Sequence, residues 1–140
     1  MTTIAVTESL FEGAISFDRT ARGLAPVRLP VERAALYPSP NDGLMERARC
    51  PSGVRLRFAT NSSRLVVHLE PAETSAEPRV LDLTKGGEIL ASIEVPTGAE
   101  SVEFDLPSET HAASRRELAN DLPIYELWLH QFHPVRLAAL

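Results

Sequence analysis

The chain holds the residue types that do chemistry, but not in spacings that would assemble an active site. Nucleophilic ester chemistry needs a serine raised on a tight turn, a histidine base and an orienting carboxylate. Ser52 precedes Gly53, but within Cys50-Pro51-Ser52-Gly53, a turn leading into an extended segment. There is no Gly-x-Ser-x-Gly or Gly-Asp-Ser block, and no Asp-x-x-His pair anywhere. Of the four histidines, His68, His111, His130 and His133, only the last two stand at ligand spacing. They fall at the end of an extended segment, where residues three apart do not share a face. Lys85-Gly86-Gly87 joins two extended segments and reads as a hairpin turn, not as a phosphate cradle feeding a helix. Asn61-Ser62-Ser63 matches the glycosylation acceptor pattern, which matters only in a eukaryotic secretory pathway. The reading is therefore no catalytic residue, no cofactor and no metal in this chain.

Aromatic and arginine positions are more informative. In Tyr125-Glu126-Leu127-Trp128-Leu129, alternation sets Tyr125, Leu127 and Leu129 on one face and Trp128 with Glu126 and His130 on the other. A tryptophan outside the core suits ring stacking or a protein interface, or lies under a covering loop. Arg55, Arg57 and Arg64 form a basic stripe on the polar side of a pair of strands, either solvated or salt-bridged. Trp128, Phe132, Arg55 and Arg57 are the candidate interface or ligand face.

The elements that must position these residues are strands. Eleven prolines and seven glycines leave little room for helices, and apolar residues recur with period two. Strands are expected over Leu10 to Phe17, Val54 to Thr60, Arg64 to Glu70, Arg79 to Thr84, Glu88 to Val95, Ser101 to Leu106 and Ile124 to His130, with a short one over Val135 to Leu137. Val54, Leu56 and Phe58 should face inward, with the second and third strands forming a hairpin. Ile89, Ala91, Ile93 and Val95 share one face of their strand. Arg22 to Pro30, Tyr37 to Pro51 and Leu69 to Pro78 read as loops. Glu109 to Asn120 is the one helical candidate, and its weak apolar pattern fits a surface turn equally well. Roughly eight short strands between turns describe an all-β fold, an antiparallel β-sandwich or jelly roll.

Phe11-x-Gly13-Ala14, Pro26-x-Arg28-Leu29-Pro30, Gly53 to Thr60 and Glu126 to Leu129, in that order, resemble a known module. It is the N-terminal β-sandwich domain that precedes the catalytic domain in a subgroup of SGNH (GDSL-type) esterases, lipases and acyltransferases. The resemblance runs over roughly residues 10 to 138. It implies a jelly roll similar to carbohydrate-binding modules, with the nucleophilic serine on a following α/β domain. None of that family's catalytic residues has a counterpart here. The resemblance also implies that residues 1–140 are one accessory domain of a longer serine hydrolase or acyltransferase.

Composition bounds the partners. The net charge of −5 argues against nucleic acid, whose binding needs a positive field. No run approaches the roughly 20 apolar residues of a membrane helix, and the N-terminus lacks a signal-peptide pattern, so a cytoplasmic location is expected. The single cysteine, Cys50, can form no intrachain disulfide. The expected partners are an SGNH-type catalytic domain, a glycan or acyl-ester substrate, and a second copy in a weak homodimer. The alternative role is a free-standing carbohydrate-binding-like module. An apolar patch left by an absent partner should lie near Trp128, Phe132, Val135 and Leu137.

Overall fold

The computed structural model describes residues 2–37, 43–72, 78–107 and 122–140. Its ten strands are β1 (Phe11–Glu12), β2 (Ser16–Thr20), β3 (Gly23–Val27), β4 (Arg55–Ala59), β5 (Arg64–Leu69), β6 (Arg79–Lys85), β7 (Glu88–Val95), β8 (Ser101–Asp105), β9 (Ile124–Trp128) and β10 (Leu137–Ala139). They form two five-stranded sheets, ordered β1-β4-β9-β6-β7 and β2-β3-β10-β5-β8, with every pairing antiparallel. The fold is the all-β sandwich that alternation implies.

Between the sheets lies one core. Leu65, Val67 and Leu69 of β5 and Val102 and Phe104 of β8 face Leu81 and Leu83 of β6 and Tyr125 and Leu127 of β9. Each fully buried aliphatic or aromatic side chain contributes about 1.5–3 kcal/mol, so the period-two pattern sets the register. A one-residue slip would turn every one of these side chains to water.

Partners and breaks differ from the sequence reading. The segment Leu10 to Phe17 is two strands in different sheets, broken at Gly13, whose φ of +89° turns the chain from the first sheet to the second. Phe11 and Phe17 still meet across the sandwich, with ring centroids 5.1 Å apart. Strands β4 and β5 are not a hairpin. Asn61-Ser62-Ser63 carries the chain from one sheet to the other, with Thr60 N–H bonded to the Pro123 carbonyl and Leu106 N–H to that of Ser63. Alternation tells which face a residue takes, but not which strand lies beside it.

The stretch Arg22 to Pro30 contains β3 despite Pro26. Strand β10 reaches β3 only at Leu24, so no ladder bond is needed from Pro26 on that side. Tyr37 to Pro51 contains a short helix, α1 (Leu44–Arg49), and a 3₁₀ turn over Val31–Leu36 precedes it. Phe58 is half-buried, stacked on Tyr125 near the sheet's end. Val135 and Leu137, expected in an exposed patch, are core residues instead. The candidate helix over residues 109–120 and His111 lie outside the described residues.

Candidate functional site

The outer face of the first sheet gathers side chains from all five strands. The registers align Glu12, Arg55, Trp128, Asp82 and Ser92 in one row across β1, β4, β9, β6 and β7. The next row runs Arg57, Glu126, Thr84 and Ile89. Apart from Ile89, these are the residues that alternation excludes from the core, and pairing brings them together from positions up to 116 apart, Glu12 to Trp128.

Trp128 lies half-buried at the centre of this face. Its indole Nε1–H donates to Thr84 Oγ1 at 3.2 Å, on the β6 side. From the β4 side the Arg55 guanidinium lies over the ring, 4.7 Å from its centroid. Arg55 is itself held by Glu126 at 3.1 Å and by Glu12 at 2.5 Å. Arg57 adds a looser contact to Glu12 at 3.6 Å. The tryptophan is therefore fixed from both flanks, and the cation that stacks on it is already paired with two carboxylates.

Beside Trp128 the face sinks into a cleft of about 590 Å³. Its floor is Asp82, Thr84, Glu126 and Trp128, and Ile89 and Phe132 stand at its rims, both 67% exposed. The position of Ile89 follows from a register shift. Leu83 pairs with Ala91 but Thr84 pairs with Ile89, so Leu90 is an extra residue and Ile89 moves to the outer face. Sequence reasoning had placed Ile89 with Ala91, Ile93 and Val95, because a bulge leaves no mark in an alternating pattern. Asp82 accepts from Ser92 Oγ at 2.5 Å.

Phe132 belongs to the segment after β9. Its N–H donates to His130 Nδ1 at 3.2 Å, and Cys50 Sγ lies 3.2 Å from its carbonyl oxygen. The rings of His130 and His133 stack with centroids 5.1 Å apart. Among the described residues, no group of three or more His, Cys, Asp or Glu side chains is arranged to hold a metal ion. Likewise no described helix is long and apolar enough to cross a membrane. Ser52 lies exposed in the turn between α1 and β4.

Of the four candidate face residues, the structure unites Trp128, Arg55 and Arg57 on one surface and sets Phe132 at its rim. Arg64 is separate: it lies on the other sheet, bonded to Glu103 at 2.9 Å. The arginines of this face do not form a free basic stripe, since each is matched to a carboxylate. Asp82, Thr84 and Ile89 were not singled out in the sequence. The first two were legible as the polar side of β6, but their meeting with Trp128 depends on the β6–β9 register.

A ten-stranded antiparallel sandwich with a recessed outer face around one tryptophan defines an all-β module. The chain belongs to the SsfX3 N-terminal domain family, whose model matches residues 9–137. Among solved structures it is similar to the salicylyl-acyltransferase SsfX3 from a tetracycline biosynthetic pathway. The identity is 29%, the TM-score is 0.73 and 99% of this chain is covered. This chain spans 38% of that one. No curated protein matches.

Proposed function

We propose that this chain is a non-catalytic accessory domain of an SGNH-type acyl-transferring or ester-hydrolysing enzyme. In this reading residues 1–140 form one sandwich that packs on a following catalytic domain and shapes the entrance to its active site. The observation that carries it is the match over residues 9–137 to an acyltransferase's N-terminal domain, with 62% (100 − 38) of the similar chain lying outside the match. The lack of any serine–histidine–carboxylate spacing in the sequence supports assigning the chemistry to that other part.

The test compares the 140-residue chain with its parent enzyme. The chain alone is expected to leave p-nitrophenyl acetate and butyrate at the background rate, whereas the parent turns one or both over. Deleting residues 1–140 from the parent is expected to impair its action on large acceptors more than on these small esters. Saturable turnover by the 140-residue chain, abolished by a single substitution, would overturn the reading.

A further inference from the structure

We propose that the cleft over β9 and β6 is a binding site for an uncharged ring compound bearing several hydroxyl groups. The inference rests on the cleft itself and not on the presence of a catalytic domain. Three observations carry it.

The first is the arrangement of apolar surface. Ile89 and Phe132 are two large side chains left mostly in water, and both stand at rims of the same recess. A β-bulge turns Ile89 outward there, and bulges recur where a strand must re-aim a side chain. A ligand seated between them buries both, against an indole that is already fixed by Thr84 and Arg55. The tryptophan therefore loses little freedom when the ligand arrives.

The second is the polarity of the floor. Asp82 and Glu126 flank Trp128, and each carboxylate engages one oxygen in the bonds described. Carboxylates accept hydrogen bonds and cannot donate them, so they select for hydroxyl donors on the ligand. The cation stacked on Trp128, Arg55, is already paired with Glu12 and Glu126 and offers little charge to an anion. A carboxylated or phosphorylated ligand would meet the charge of Asp82, whose partner Ser92 is a neutral hydroxyl, and no arginine or lysine among the residues lining the cleft. The third is size: about 590 Å³ lies within the range of small-molecule sites.

Cellotetraose and catechin share this chemistry, one as a saccharide and one as a hydroxylated aromatic. Trp128 is the single tryptophan, so its indole N–H gives one resonance in a proton–nitrogen correlation spectrum. Titrating the 140-residue protein with each compound separately is expected to shift that resonance saturably with at least one, and the responder identifies the source of the ring. Tetraglucuronate, close to cellotetraose in size but carrying carboxylates, is expected to leave it in place. Asp82→Asn and Ile89→Ser should each weaken binding about tenfold, the scale of one lost charge-assisted bond or buried side chain. Both positions are on the outer face, and an unchanged Leu127 methyl resonance shows that the fold survives. Silence of the indole with both neutral compounds would overturn the proposal. So would equal binding of tetraglucuronate, or undiminished binding in both variants. These readouts use no acyl transfer, so their failure leaves the accessory-domain reading to its own test.

Discussion

Arg136 and Asp18 stand 118 residues apart and are joined twice. Arg136 Nη2 donates to the Asp18 carboxylate and Nη1 to its backbone carbonyl, both at 2.7 Å. The same guanidinium donates from Nη1 to the Gly23 carbonyl at 3.1 Å and from Nε to Glu70 at 3.0 Å. One side chain, 13% exposed, thus ties the β2–β3 hairpin to the end of β5. Arg136→Ala should lower stability by about 2–3 kcal/mol, below the full cost of a buried pair because Asp18 and Glu70 are partly solvated. Arg136→Lys should recover less than half, since an ammonium cannot reproduce the fork. Urea midpoints of the two variants check this.

Arg79 is the opposite case. It is 5% exposed, and among the described residues its Nη1 donates only to the Glu70 carbonyl at 3.3 Å and its Nη2 has no hydrogen-bond partner. Burial pushes its pKa below the usual guanidinium value, and Glu70 only partly opposes that. A base with a lowered folded-state pKa destabilises the fold wherever the unfolded chain would keep it charged, which includes neutral pH. Arg79→Met is therefore expected to hold or raise the melting temperature, as apolar replacements of poorly satisfied buried charges do. A fall of many degrees would show that Arg79 has a stabilising role.

Gly23 and Gly98 separate crowding from conformation. Both have positive φ, +123° and +79°. A Cβ on Gly23 would lie 2.1 Å from the Leu137 carbonyl oxygen, whereas one on Gly98 would meet nothing within 4 Å. Gly98→Ala should cost about 1 kcal/mol for its backbone alone. Gly23→Ala should cost about 3 kcal/mol or more, because β3 and β10 must part. Thermal melts of the two variants side by side give the comparison.

Strand β4 offers a graded series. Leu56 is fully buried, and Leu56→Ala should cost about 2–5 kcal/mol. Phe58 is half-buried at the sheet's end, so Phe58→Ala should cost less than Leu56→Ala. Arg57→Ala should stay within about 0.5 kcal/mol, since its pair with Glu12 is long and exposed. Equal losses at all three sites would contradict the register.

Phe132 is where a second copy would be felt. If the rim mediates the weak homodimer expected from the sequence, light scattering on a concentration series should show association, and Phe132→Ser should abolish it. A monomer at every concentration, with and without the substitution, would remove that partner.

The alternation in β5, β8 and β9 made the core readable: Leu65, Val67, Leu69, Val102, Phe104, Tyr125, Leu127 and Leu129 are all buried as their spacing implies. Trp128 was readable for the same reason, as the residue out of phase with its neighbours. What stayed hidden depends on partners distant in sequence. Nothing within Val54 to Glu70 says that its two strands join different sheets, because each satisfies the same pattern beside any apolar neighbour. The bulge at Leu90, the strand carrying Pro26 and the joining of Asp18 to Arg136 are likewise properties of pairing. The cleft was half-readable: its tryptophan and arginines stood out, while its acidic floor emerged only once β6 lay beside β9.

The strand order has a consequence for how the chain comes to be folded. The middle strand of one sheet is β9 and that of the other is β10, and both lie in one short stretch, residues 124–139, after all eight other strands. Until these residues leave the ribosome, each sheet exists as two separate pairs of strands with open edges facing an empty slot. Only β2–β3 and β6–β7 pair with immediate neighbours joined by short turns. The remaining closure is non-local, and such pairing is slow and leaves strand edges exposed to other chains. The emerging chain is thus most vulnerable to aggregation just before residues 124–139 leave the ribosome, and it then gains both sheet centres almost at once.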